Sequence, residues 1–232
     1  MAATSHNQSF WDAVSENNIP RVSWMLRNWH GINIDFPGPI YSLSPLIEAI
    51  ENGNLELVRL LVDNGASCAF KCPDVLHLDK TPLFWAAQCE HACAIEMMQL
   101  LIDKGASATA VDAKGSTIFH RLFLCYRSAP VNTEAKLWLL LDSITDVELP
   151  LILAHTDWNG NTASMLLRQT QAARLATEIL DHEIERRRQR LELFHAFRNA
   201  VMPDSQALVS GLGVDLIALI AQMNLDSRDD RR

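Results

Sequence analysis

Residues 44–67 read SPLIEAIENGNLELVRLLVDNGAS, and residues 81–107, TPLFWAAQCEHACAIEMMQLLIDKGAS, restate most of this stretch. The second copy starts 37 residues after the first. A recurrence at this interval is typical of repeat proteins, in which each unit buries its apolar face on the next one. The sequence therefore predicts a stack of repeats rather than a domain built around one central core.

Each copy carries the signals of two helices joined by a turn. Both begin with Ser or Thr followed by Pro, a pair that suits the N-cap and first turn of a helix. Gly53 separates the first helix from the second, and Gly65 and Gly105 stand where a helix end needs a left-handed residue. The second helix of the first copy has a wide apolar stripe, which favours burial between neighbours.

These features resemble ankyrin repeats, whose pattern is a turn and two helices opened by Thr-Pro-Leu-His-x-Ala. The residues that carry the resemblance are Ser44-Pro45-Leu46, Thr81-Pro82-Leu83 with Ala86-Ala87, and the endings LLVDNGAS and LLIDKGAS. The resemblance implies an all-α solenoid of about five helix-turn-helix repeats, with β-hairpin or turn connections and a C-terminal helical cap.

The phase of the repeats predicts the organisation of the whole chain. We expect a repeat stack over residues 10–170, a helical extension at 186–225, and flexible ends at 1–9 and 226–232. Surplus residues at 126–133 and 143–154 are expected to be loop insertions, which in solenoids often lie on the binding face. The approximate repeats are 10–41, 42–78, 79–114, 115–159 and 160–185.

Composition excludes several classes of function. The net charge of −8 and the pI near 5.4 argue against a nucleic-acid partner. No run reaches the roughly 20 apolar residues that span a bilayer, so we expect no membrane partner. Five cysteines and the lack of an apolar segment after Met1 favour a reducing, cytoplasmic location. The basic run at 186–190 leaves a nuclear location open, and a viral or bacterial effector would act in the host cytosol.

His120 is the residue that first suggests catalysis, because it follows Thr117 at a helix entry. In ankyrin repeats the matching His and Thr hydrogen-bond the turn, and the resemblance implies that structural role here. His155 and Asp157 lie two residues apart in a turn, which is not a triad geometry. The chain is therefore predicted not to be an enzyme and to have no catalytic residue or cofactor.

Cys89, His91 and Cys93 offer side chains that zinc accepts. Alternate spacing on a helix would splay the three side chains apart, and paired Cys arms are absent. We therefore predict reduced thiols and no metal site.

The resemblance places the partner-binding surface along the turn tips and the first helices, which form a concave face in the family. Aromatic side chains at solvent-facing positions there mark candidate contacts, because such side chains dominate interface energies. We predict an unidentified protein partner that contacts Phe36, Tyr41, Asp74, Leu76, His77, Trp85, Gln88, Asp112, Lys114, Trp158 and Asn159.

An alternative function is that of an adaptor that recruits a ubiquitin ligase or another complex through its C-terminal helices. Residues 212–216 with Ile220 are loosely similar to the start of an F-box-type helix, although Gly213 stands where Pro is expected. Apolar residues of this segment could instead cover the last repeat. We expect a monomer, and self-association through a long helix over residues 171–201 is the other prediction.

Overall fold

A computed structural model describes residues 2–39, 42–72, 79–125, 132–168 and 174–201 of the 232-residue chain. Within these ranges it contains helices and turns, and no strand beyond two isolated antiparallel β-bridges. The predicted all-α architecture is confirmed for the described residues. The helices are α1 (Ala2–Ser15), α2 (Ile19–Asn28), α3 (Pro45–Glu51), α4 (Leu55–Asp63), α5 (Pro82–Gln88), α6 (Ala94–Asp103), α7 (Ile118–Cys125), α8 (Thr133–Asp142), α9 (Glu148–Ala154), α10 (Ala163–Arg168) and α11 (Arg174–Val201).

The helices pair and then stack. The chain forms two compact units, residues 1–185 and 186–232, and the stack lies in the first. Helices α1, α3, α5, α7 and α10 contact one another in that order, and α2, α4, α6 and α8 form a second such series. Each pair thus contacts its neighbours, which is how a repeat protein buries apolar faces that no single repeat could cover.

Short polar side chains cap the N-termini of α3 and α4. Ser44 accepts a hydrogen bond from the Ile47 N–H (3.3 Å) at the start of α3, and Asn54 accepts one from the Leu57 N–H (3.0 Å) at the start of α4. These contacts satisfy backbone donors that the helix itself leaves open. Thr81, at the matching position before α5, makes no side-chain cap hydrogen bond.

Glycine ends the second helix of both clear copies. Gly65 and Gly105 have φ of +94° and +88°, as the sequence predicts. The next residue in each case donates its N–H back into the helix, from Ala66 to Leu61 O (3.0 Å) and from Ala106 to Leu101 O (2.9 Å). This is the left-handed helix stop that glycine adopts without a Cβ penalty.

A continuous apolar core runs through the first unit from α1 to the start of α11. Its largest fully buried side chains include Phe10, Phe84, Phe119 and Phe123. Ala176 and Leu180 belong to the same core, so the first turns of α11 cover apolar surface of the stack. A smaller cluster of Leu43, Ile47 and Cys72 lies beside it.

Residues 2–9, part of the segment 1–9 for which the sequence predicts flexibility, form the first turns of α1. Two contacts tie these turns to the loop after α2. The Asn33 N–H donates to Asn7 Oδ1 (3.0 Å), and the His6 ring stacks on Trp29 with ring centroids 4.4 Å apart.

The surplus residues at 143–154 contain a helix, α9, rather than loop alone. Thr145 and Glu148 cap each other at its start: the Thr145 N–H and hydroxyl donate to Glu148 Oε2, and the Glu148 N–H donates to Thr145 Oγ1. Leu149, Ile152 and Leu153 turn inward and are buried. The insertion therefore adds apolar surface to the core of the unit.

Candidate functional site

The clearest built feature of the candidate site is a pair of matching hairpin tips, residues 111–117 and 156–162. Each is closed by an antiparallel bridge, Val111 with Thr117 and Thr156 with Thr162. In the first tip, Asp112 Oδ1 accepts hydrogen bonds from the N–H groups of Lys114 (2.8 Å) and Ser116 (2.9 Å). An aspartate that binds the backbone two and four residues ahead fixes the turn locally.

The second tip repeats this arrangement. Asp157 Oδ1 accepts from the N–H groups of Asn159 and Asn161, both at 2.9 Å. Burial raises the pKa of Asp157, but these backbone hydrogen bonds outweigh it and hold the pKa below its ordinary value. The carboxylate is therefore charged at neutral pH and keeps the tip in shape.

The two tips are joined directly. The Trp158 N–H donates to Lys114 O across the tips at 3.0 Å. Gly115 has φ of +69°, and a Cβ there would lie 3.3 Å from Thr156 O. The close approach and the positive φ both favour glycine at this position.

Lys114, Trp158 and Asn159 point away from the fold and form what we call the tip surface. All three are exposed, and 74% of Trp158 is accessible to solvent. Asp112, which the sequence predicts as a contact, is buried and binds the guanidinium of Arg121 (Arg121 Nε to Asp112 Oδ2, 3.1 Å). Its carboxylate serves the turn, so we leave Asp112 out of the tip surface.

His120 lies fully buried behind the tips and connects them. The Thr117 N–H donates to His120 Nδ1 (3.2 Å), so Nδ1 is the acceptor and Nε2–H donates to Asn161 O (2.9 Å). Burial lowers the pKa of His120, although the hydrogen bond to Asn161 acts in the opposite direction. A neutral, buried imidazole with both nitrogens engaged stabilises the turn and is closed to substrate.

Trp85 and Gln88 lie on α5, half-buried. The Trp85 ring packs against both apolar clusters, and Lys80 Nζ lies 5.2 Å from its centroid. Lys80 also donates to Gln88 Oε1 at 3.4 Å. Trp85 therefore has a packing role, the alternative that the sequence left open, beside any role in binding.

Glu51 adds an acidic group to the end of α3. Burial raises its pKa, the negative charge of Glu48 raises it further, and Lys80 lowers it. Partial burial and the negative charge of Glu48 together disfavour the ionised form of Glu51, and Lys80 offsets part of this effect.

The remaining predicted contacts divide into described and undescribed residues. Phe36 is half-buried in the turn after α2, where its N–H donates to Asn33 O at 3.0 Å. Tyr41, Asp74, Leu76 and His77 lie outside the described residues. The structure therefore brings together Lys114, Trp158 and Asn159, and places Trp85 with Gln88 on a neighbouring helix.

Cys89, His91 and Cys93 cap a helix of the preceding repeat. Their Sγ, Nε2 and Sγ atoms lie 3.7, 2.9 and 3.2 Å from carbonyl oxygens at the end of α3, those of Ile50, Glu51 and Gly53 respectively. Burial raises the pKa of Cys89, which favours the thiol form. Across the described part of the chain, no group of three His, Cys, Asp or Glu side chains is arranged to hold a metal ion.

Sequence reasoning missed two features, one buried and one on the surface. Lys136 of α8 is buried and donates to Ala87 O (3.0 Å) and Cys89 O at the end of α5. Trp24 of α2 is 54% exposed and meets Trp29 edge-on. No local motif marks either residue, but the spacing of Arg21, Trp24 and Arg27 along α2 could have indicated a shared outward face.

Residues 10–112 match the family model described as ankyrin repeats (3 copies), so the predicted resemblance is confirmed for this part of the chain. Ankyrin repeats generally mediate protein–protein interactions and are typically non-enzymatic. Among the helices that the structure describes, none is both long and apolar enough to span a membrane.

Two curated relatives share the name Ankyrin repeat and SOCS box protein 6, one from Pongo abelii and one from Homo sapiens. Each is 28% identical to this chain over 119 residues. The aligned region covers 51% of this chain but only 27% of either relative. The likeness therefore concerns a part of those proteins.

Proposed function

We propose that the chain is a non-catalytic interaction module that holds a protein partner along the hairpin tips and the adjoining first helices, in the cytoplasm. The observation that carries the proposal is Trp158, an aromatic side chain that is 74% exposed on a hydrogen-bonded turn. Exposure of this degree means that Trp158 contributes little to the core. A rigid turn also lowers the entropy lost when a partner orders the contact.

The chemistry of the tip surface supports a protein partner. An indole, an ammonium and an amide side by side supply apolar area, charge and hydrogen bonds, which is the mixture that protein interfaces use at their centre and rim. Trp85 and Gln88 would extend the contact along α5. Phe36, Tyr41 and the turn residues Asp74, Leu76 and His77 remain predicted contacts.

The test is affinity capture of partners from the organism's cytosol with the wild type and with Trp158→Ala, followed by titration of the partner recovered. We expect Trp158→Ala to weaken binding about tenfold or more at unchanged stability. Trp138→Ala on α8, where the indole is 39% exposed, is the matched control and is expected to bind as the wild type does. Equal affinity of Trp158→Ala and wild type would contradict the proposal.

A second candidate is an adaptor, and the name of the relatives favours it because it couples ankyrin repeats with a SOCS box. By analogy, this chain would hold one protein on its stack and recruit a ligase or another complex through residues after the stack. Residues 212–216 of this chain, the segment loosely similar to an F-box-type helix, lie outside the described part of the structure. The test compares co-purified subunits of the full chain and of residues 1–203; a subunit lost on truncation, with the stack partner retained, supports an adaptor.

A further inference from the structure

A cluster of aromatic rings lies on the surface at α1 and α2, which are not part of the hairpin tips. The His6 ring stacks on Trp29 with an interplanar angle of 26° and a centroid distance of 4.4 Å. Trp24 meets Trp29 edge-on at 5.9 Å. The three rings support one another, so the exposed indole of Trp24 is held in place before any partner arrives.

The exposed face of α2 carries positive charge next to these rings. Arg27 lies one helical turn after Trp24 and is exposed, and its guanidinium donates to Ser23 Oγ at 2.6 Å. Arg21 on the same face pairs with Glu16 at 3.3 Å. Within the described residues, no carboxylate lies at ion-pair distance from Arg27. We call His6, Trp24, Arg27 and Trp29 the aromatic–arginine patch.

The fold does not require the exposed members of this patch. Helix α2 uses Val22 and Met25 for its buried contacts, and both are at most 2% exposed. Trp24 and Arg27 lie on the opposite side of the same helix, where a small polar residue would satisfy the helix equally well. Trp and Arg are both among the residue types enriched at interface hot spots.

We propose that the aromatic–arginine patch is a second interaction surface and that it binds an acidic segment of a protein carrying apolar or aromatic side chains. Charge complementarity selects this partner, since a carboxylate can pair with Arg27 while a neighbouring side chain packs on Trp24. In the described part of the chain, the patch offers one guanidinium outside an ion pair, since Arg21 pairs with Glu16, whereas nucleic acids are bound by clusters of Lys and Arg side chains. The proposal is independent of the tip surface, because it uses α1, α2 and Trp29 rather than the hairpin tips.

The experiment titrates the full chain into a fluorescein-labelled random copolymer of glutamate and tyrosine and follows anisotropy at low and at physiological salt. We expect binding to the copolymer and weaker binding to polyglutamate, which lacks the aromatic side chains. Arg27→Gln and Trp24→Ala are each expected to weaken copolymer binding about tenfold. Raised salt should reduce the wild-type affinity, because the charges are exposed.

Matched controls are Arg59→Gln on α4 and Trp138→Ala on α8, which also carry exposed side chains. These variants are expected to bind within about twofold of the wild type, a change too small to reflect a lost contact. The proposal is overturned if the copolymer does not bind, if the controls weaken binding as much as Arg27→Gln, or if poly(U) RNA binds more tightly than the copolymer. Arg27 is exposed, so Arg27→Gln retains the fold and decides the question without Trp24→Ala.

Discussion

Two glycines in the hairpin tips have the same backbone conformation but different packing. Gly115 and Gly160 occupy matching positions, with φ of +69° and +76°. A Cβ at Gly160 meets no atom within 4 Å, whereas one at Gly115 lies 3.3 Å from Thr156 O. The two glycines thus share a left-handed conformation but differ in whether the other tip lies against them.

We predict that Gly160→Ala costs about 1 kcal/mol of unfolding free energy, the usual cost of a left-handed alanine. Gly115→Ala should cost about 2 kcal/mol, because the joined tips must also move apart. Urea unfolding of both variants measures the difference. Equal losses would mean that the contact between the tips contributes nothing to stability.

The buried His120 predicts a pH dependence. The folded chain holds the pKa of His120 below its ordinary value, so the unfolded chain binds this proton at higher pH. The contribution of His120 to the unfolding free energy is therefore fully present above about pH 6.5. It falls as the pH drops toward the lowered pKa. His120→Gln should lower stability at pH 7.5 and show a smaller further loss at pH 5.5 than the wild type, measured by urea unfolding. The same loss in both proteins would assign the pH dependence to other groups.

Residue roles near the tips could be predicted only where the deciding contact is local. The turn signature places Lys114, Trp158 and Asn159 at the tips, because aspartate and glycine fix the turn within a few residues. The burial of Asp112 depends on Arg121, nine positions away on α7. The placement of the Trp24 ring depends on a contact between α1 and the residue that follows α2, since Trp29 stacks on His6 near the start of α1. Spacing along the chain does not reveal such contacts.

At the scale of the helices, the ends of first helices are satisfied by the following repeat. The thiols of Cys89 and Cys93 and the imidazole of His91 meet the carbonyls at the end of α3. Lys136 of α8 does the same for α5. A helix of seven residues leaves most of its carbonyl groups without internal partners, so these contacts between repeats carry much of its stability.

We predict that Lys136→Met lowers the unfolding free energy by about 2 kcal/mol, because it leaves buried carbonyl groups without this charged donor. The matched variant is Lys104→Met, which removes an exposed lysine that pairs with Asp63 at 2.9 Å. Its cost should stay below about 0.5 kcal/mol, as for other surface ion pairs. Thermal and urea unfolding of both variants provide the measurement, and similar costs would refute a capping role for Lys136.

Helix α9 has a local sequence signal for its start, but the repeat length alone does not predict it. Thr145 and Glu148 have the spacing of a capping box, a local signal that predicts a helix start. Hydrogen bonds from the Thr145 side chain, and then from its backbone, hold the pKa of Glu148 below its ordinary value. The extra length relative to the repeat favoured an insertion in a loop. Whether an inserted segment packs or projects depends on the apolar surface that it meets, which the repeat period does not specify.

The stability of the stack depends on covering the apolar faces at its ends. Every internal repeat buries both sides, but the last one leaves an apolar face that something must cover. Ala176 and Leu180, in the first turns of α11, join the core that contains Ala163 and Leu167 of α10. The first part of α11 therefore completes the stack, and residues 186–232 form a separate compact unit.

Truncation tests this division. We predict that residues 1–185 unfold cooperatively with a melting temperature close to that of the full chain, because the core of the first unit stays covered. Residues 1–168 should melt about 5–10 °C lower, since loss of Leu180 and its neighbours removes about 2–3 kcal/mol of apolar burial. Circular dichroism at 222 nm follows both transitions. If 1–168 were as stable as 1–185, the last repeat would need no cover from α11; if 1–185 melted far below the full chain, residues 186–232 would stabilise the stack and could not be assigned to docking alone.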